Sequence, residues 1–498
     1  MSNAVLTYRQ IPRALEEPRT GQAPLTFFLI VLFVLLRFLA GGRAVGEQET
    51  NLSVVFLGLG ILAGLIMVNR PIALVLIVFD MVDMAGWINP AAWGIPGAFK
   101  FKDAEFVLLM VMGIIGLVVN SHLRMHRKTL LSRAMTVFAI VVGTYIIYTL
   151  TLQNLSITFR VARQLIYYGL FFVIPFYIPS EKELRIALRG FFVLMLASST
   201  THILQAVIFP IHALLPYTQS GEVAGGFVRL WGPSQPFNFI GVPLLFGVLL
   251  QAKRRRWFLI TAFGICVLAS LLTLGRTYVA YLGIGVFVIL VLLSTKGLRV
   301  RNAVRYVSIL AVSFTIVWIL LSVVGRGDLV AETVSGRMEE AQGQFRVGEG
   351  TFFVHVEYAS LAPLLIERNE GSLLFGLGFR GLPYDRLIAG GSPEEDFSPT
   401  FNSDNGWSGI FVSMGFVGLL FFAFFLITCA RYTYRISQRP EFELACILSA
   451  ALFAFFVLAW FLWFFSALGI WQDSAMVVAV AAGLLGQAVG FNPRTARI

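Results

Sequence analysis

The sequence predicts an all-α fold: a polytopic membrane bundle of about 12–14 transmembrane helices with one large extracytoplasmic loop carrying short helices. Three observations carry this. The 498-residue chain is 57% hydrophobic and only 13% charged. Its apolar residues fall in repeated runs of about 20, the length that crosses a bilayer, and run length favours membrane spans over a soluble core. Its positive charge is spaced as a membrane topology would space it.

Spans are read over 24–42, 51–68, 71–88, 104–121, 135–152, 164–179, 187–209, 236–252, 257–274, 277–294, 304–324, 405–430, 442–466 and 474–491. Two are marginal, because 71–88 carries Asp80 and Asp83 and 164–179 is short. The organisation is a tail (1–23), a first set of helices (24–324), a loop (325–404), a last set of helices (405–491) and a short tail (492–498). The first span lacks a small-residue cleavage site and reads as a retained helix.

The net charge of +11 invites a nucleic-acid partner, and its distribution argues against one. With Met1 in the cytoplasm and alternating spans, inside segments hold 24 of the 38 Lys and Arg. Most of those segments are short and basic, as the positive-inside rule requires. Both termini are then cytoplasmic. Cys266, Cys429 and Cys446 all fall within spans, so no disulfide and no Cys/His metal spacing is expected. The simplest location is a bacterial inner membrane.

The Gly325–Asp404 loop is the one stretch outside the spans that is long enough to shape a pocket. Asp328–Gln344 suits a short polar helix. Thr351–Arg368 suits a helix lying on or in the membrane surface, with Pro363 kinking it or starting a second piece. Phe375–Phe379 (FGLGF) reads as a glycine turn, and Gly390–Pro399 as an exposed, mobile stretch. Trp87–Phe101 and Pro210–Pro236 read as loops on the same side.

Arginines outside the positive-inside pattern are the candidate oxyanion ligands, because guanidinium offers a planar fork matched to phosphate. These are Arg229, Arg276, Arg337 and Arg346. The plain alternative is local pairing: the loop holds thirteen acidic residues against six basic ones. Arg276 has no acidic residue close in sequence, which favours a ligand role. Asp404 closes the loop just before a span, where it suits both a helix N-cap and a base that takes a proton from a hydroxyl. His355, the loop's one histidine, suits packing at the interface. Arg37 and Asp83 lie at similar depth and suit an intramembrane pair, with Asp80 one turn deeper.

Four segments in order resemble the O-antigen polymerase and ligase superfamily (Wzy and WaaL types). They are RLWGPSQPFNFIG (Arg229–Gly241), LTLGRTYVAYLGIG (Leu272–Gly285), LAPLLIERNEGSLLFGLGF (Leu361–Phe379) and DNGWSGIFVSMGFVGLLFF (Asp404–Phe422). The resemblance implies a GT-C-type, inverting glycosyltransferase that needs no metal or other cofactor. It implies an undecaprenyl-diphosphate-linked oligosaccharide as donor, the hydroxyl of another glycan as acceptor, and membrane lipid as surroundings. It implies Asp404, Arg276 and Arg346 (or Arg337) as catalytic, and Arg229, Arg337, Asn405 and Asn238 as binding residues for diphosphate or glycan. A chain-length regulator is the candidate protein partner. Ligases of the family place His-Asn where this chain has Asp404-Asn405, so the resemblance leans to a polymerase. A ligase, a peptidoglycan-type polymerase and a lipid-linked glycan flippase working through Asp80, Asp83 and Arg37 are the alternatives.

Overall fold

The computed structural model describes residues 22–42, 52–82, 101–120, 129–152, 155–207, 220–224, 227–230, 234–251, 256–271, 276–294, 308, 351–379, 406–439, 443–462 and 472–491. Among these the molecule is a helical bundle. In chain order it comprises α1 (Gln22–Gly42), α2 (Leu52–Val68), α3 (Arg70–Val82), α4 (Phe101–Val119), α5 (Leu130–Leu150) and α6 (Leu155–Ile166). A single 3-10 turn, Tyr167–Gly169, then leads to α7 (Leu170–Tyr177) and α8 (Glu181–Val207). After a β-hairpin come α9 (Ser234–Gln251), α10 (Arg256–Leu271), α11 (Arg276–Ser294), α12 (Thr351–Arg368), α13 (Gly406–Ser437), α14 (Glu443–Leu462) and α15 (Gln472–Gly490).

Three helical segments, Leu130–Leu150, Glu181–Leu204 and Gly406–Ser437, are long and apolar enough to cross a membrane. Several further apolar helices are shorter. The expected spans overlap described helices, with α8 beginning six residues before 187 and α13 ending seven residues past 430, except where they fall outside the described residues, as 304–324 does apart from Ser308. The short span 164–179 differs more: the helix begins at Leu155 and is broken by the 3-10 turn before α7.

One departure from an all-α fold is β1 (Ser220–Ala224) paired antiparallel with β2 (Phe227–Leu230). The register brings Ala224 opposite Phe227. Helix α12 runs through Pro363 as one helix, so of the two outcomes expected there a second piece does not occur.

The centre of the bundle is α15, which touches α3, α6, α7, α8, α9 and α14. Its residues from Ala475 to Gln487 are all buried. A helix apolar on every side must lie inside a bundle, and small residues allow neighbours to approach. A Cβ added at Gly483 would sit 2.5 Å from Ile174 of α7. Likewise, a Cβ on Gly116 of α4 would stand 2.1 Å from the Phe176 ring of α7. Helices α13 and α5 run antiparallel, since Phe138 meets Phe422 and Phe425 while Tyr145 reaches Met414.

Candidate functional site

Residues 351–379 of the long loop pack on the bundle. Helix α12 packs on α13 and ends where Glu370 takes φ 55° and the Gly371 N–H donates to the Ile366 carbonyl at 2.8 Å. Of the next residues, Ser372–Phe375 stay exposed while Gly376–Phe379 are buried. They seat on α13 where that helix breaks at Gly415, whose φ of 62° and ψ of −162° are non-helical.

The reason is visible in the hydrogen bonds. In an unbroken helix the N–H groups of Phe416 and Val417 would donate to the carbonyls of Val412 and Ser413. Here they donate to Leu373 (2.9 Å) and Leu374 (3.0 Å). The freed carbonyls of Val412 and Ser413 accept from Leu377 (2.9 Å) and Gly378 (2.8 Å). The turn thus satisfies these four backbone groups, as apolar surroundings require.

Glycine is needed on both sides of this contact. A Cβ at Gly415 would lie 2.4 Å from the Leu374 backbone, and one at Gly376 (φ +70°) would lie 2.6 Å from the Gly415 nitrogen. Gly378 (φ +74°) passes equally close to Thr149. Thr149 in turn accepts from the Phe379 N–H at 2.8 Å and donates to the Tyr145 carbonyl at 2.7 Å. The Tyr145 hydroxyl donates to the Met414 carbonyl at 2.8 Å. A small separate core of Ala362, Leu365, Ile366, Leu377 and Val412 glues α12 and the turn to α13.

The described residues on either side of 380–405 both lie on α13. Phe379 is held beside Ser413, and Gly406 opens α13, roughly 10 Å away along a helix rising ~1.5 Å per residue. Asp404 and Asn405 immediately precede that helix. They lie outside the described residues, as do Arg337 and Arg346. Arg276 is the first residue of α11, and Arg229 lies in β2 opposite Gly221; the side chains of both are outside the description. Helices α11 and α13 both pack on α14, and β2 touches α8.

Asn238 is the one expected site residue whose side chain is described. It is buried and ties three helices together: its Nδ2 donates to Ser270 Oγ at 2.9 Å, with longer contacts to the Cys266 carbonyl (3.4 Å) and Ser199 Oγ (3.5 Å). Nearby on α8, Ser198 and His202 are also buried. Among the described residues, Asn238 Oδ1, Ser198 Oγ and both His202 ring nitrogens have no hydrogen-bond partner. This seam offers neutral donors and acceptors, chemistry suited to hydroxyls and water more than to ions.

Sequence reasoning missed a buried ion pair. Arg163 of α6 meets Asp103 of α4 at 3.0 Å, and the Tyr167 hydroxyl donates to the other Asp103 oxygen at 2.5 Å. Both charged side chains are buried. The pair joins residues sixty apart in sequence, so only depth counting along the spans would have suggested it. The expected Arg37–Asp83 pair lies outside the described side chains, while Asp80 is buried in α3. The three cysteines are buried and none is in a disulfide.

No protein-family model matches this chain, and no curated protein matches it.

Proposed function

We propose that this chain is a bacterial inner-membrane polysaccharide polymerase with cytoplasmic termini and about 12–14 spans. It would transfer an undecaprenyl-diphosphate-linked glycan onto a hydroxyl of another glycan unit on the extracytoplasmic face. The observation that supports this best is the docking of the outer loop into α13. It ties the described chain on both sides of 380–405 to one helix, and Asp404 precedes that helix by two residues in sequence.

The reaction needs no nucleotide, because the diphosphate leaving group already stores the energy. The acceptor oxygen bonds to the anomeric carbon as the bond from that carbon to the diphosphate oxygen breaks. Undecaprenyl diphosphate leaves, and Asp404 takes the hydroxyl proton. Arg276, at the start of α11, and Arg346 neutralise the charge that grows on the diphosphate, with Arg337 the substitute for Arg346. Helix N-termini favour anions, so Arg276 stands at a favourable place for a phosphate. Arg229 and Asn405 hold the diphosphate or glycan, and Asn238 serves the glycan side.

The test is glycan length in cells. Arg276→Ala and Asp404→Ala, at normal membrane levels, abolish elongation under this reading. Wild-type chain lengths in both variants remove the site assignment. A ligase reading keeps the same chemistry with another acceptor, and Asp404 in place of histidine disfavours it. A flippase is favoured by the buried charges Asp80, Asp103 and Arg163.

A further inference from the structure

On the opposite end of the bundle from the docked loop, helices α4, α5 and α7 enclose a groove of about 770 Å³. Its walls are apolar, and several of them, including Ile114, Val118 and Val137, are exposed. Its α4 side runs from Met110 to Val118, roughly 12 Å at ~1.5 Å per residue. That matches a stretch of acyl chain. The polar lining is confined to the first two turns of α5: Ser132, Arg133 and Thr136.

The charge at that end is mostly basic, and the acidic residues that follow α7 are engaged: Glu181 pairs with Arg185 at 2.6 Å and Glu183 accepts from the Ser180 hydroxyl at 2.8 Å. Arg133 is exposed, and no ion pair joins it to a described residue. No Asp or Glu occurs anywhere from Phe106 to Ser180, which covers nearly all of α4 and the whole of α5 and α7. The sequence just ahead of α5 adds Arg124, Arg127 and Lys128. Ser132 and Thr136 spend their hydroxyl protons on the carbonyls of Thr129 and Ser132 (2.9 and 2.8 Å), leaving Arg133 as the donor free for an anion.

We infer that this groove is a binding site for an anionic glycerophospholipid, with one acyl chain along α4 and α7 and the phosphate of the headgroup on Arg133. Basic residues beside an apolar intramembrane groove recognise anionic headgroups in this way. In the topology proposed above the site faces the cytoplasmic leaflet. It is therefore on the other side of the membrane from the proposed chemistry, and it stands whether or not the polymerase reading does.

Native mass spectrometry of the purified full chain tests this. The protein is exchanged from nanodiscs containing phosphatidylglycerol, phosphatidylethanolamine or an equal mixture. The wild type is expected to retain phosphatidylglycerol over phosphatidylethanolamine by about fivefold, the ratio expected for one cationic contact. Arg133→Gln is expected to abolish that preference while still binding lipid. Val137→Trp, which fills the groove from an exposed position, is expected to lower retention of both lipids. Equal retention of the two lipids by the wild type, or a preference unchanged in both variants, overturns the proposal. Thermal unfolding confirms that each variant is folded, and Arg133→Lys, which keeps the charge, is expected to keep most of the preference.

Discussion

Replacing Gly415 by alanine tests the splice between the loop and α13. The backbone at Gly415, φ 62° and ψ −162°, belongs to a region that only glycine visits readily, so alanine carries about 1–3 kcal/mol of strain there. Its Cβ would also press 2.4 Å from the Leu374 backbone, which cannot rotate away. The turn must lift, and each of the four hydrogen bonds it makes to α13 is worth about 1 kcal/mol. Even partial release puts the local cost at about 3 kcal/mol or more. Hydrogen exchange followed by mass spectrometry reads this directly, because Leu377 and Gly378 donate into the break. A 3 kcal/mol loss in local opening energy raises exchange in peptides covering 371–379 by about 100-fold. Gly143→Ala is the control: it lies in α5 with open space around its Cβ position, so exchange there stays at the wild-type rate or slows. Equal exchange in the two variants would refute the docking argument.

The buried pair gives a second prediction. Asp103→Asn or Arg163→Met alone costs about 3–5 kcal/mol in chemical unfolding, because each strands its partner; the double variant costs less than the two added together. Additive costs would show that the two charges do not interact. Asn238→Leu loosens the contact among α8, α9 and α10 by about 0.6–1.7 kcal/mol in the same assay, the range for hydrogen bonds between membrane helices. Ser270→Ala, which removes the shorter of its contacts, should cost a similar amount and add little to Asn238→Leu. Gly483→Leu overpacks the α15–α7 contact and lowers unfolding stability by about 1–3 kcal/mol, which Ile174→Ala in the same chain partly restores.

What was legible in the sequence was governed by local physics. Helix positions followed from run length, because a bilayer-length apolar stretch has few alternatives, and α12 was readable over its full extent. FGLGF was readable as a turn, because Gly376 and Gly378 stand where only glycine turns easily. Where that turn goes was not readable. Gly415 sits in an apolar run and looks like one more small packing residue, and only the partner backbone reveals that it breaks the helix. The hairpin left a signal that went unused: Gly225-Gly226 between short alternating segments is a turn signature. The Asp103–Arg163 pair left none in local sequence, because its members sit on different helices. Asn238 was marked by its motif, but its role in joining α8 and α10 depends on Ser199, Cys266 and Ser270, which no motif links.

The central claim is chemical, and reconstitution tests it most directly. Purified protein in liposomes is supplied with an undecaprenyl-diphosphate-linked oligosaccharide, and products are resolved by size. The account predicts lengthened lipid-linked glycan with release of undecaprenyl diphosphate, and no lengthening with Asp404→Ala or Arg276→Ala. Movement of the lipid-linked glycan across the bilayer without any lengthening would contradict it and point to a flippase.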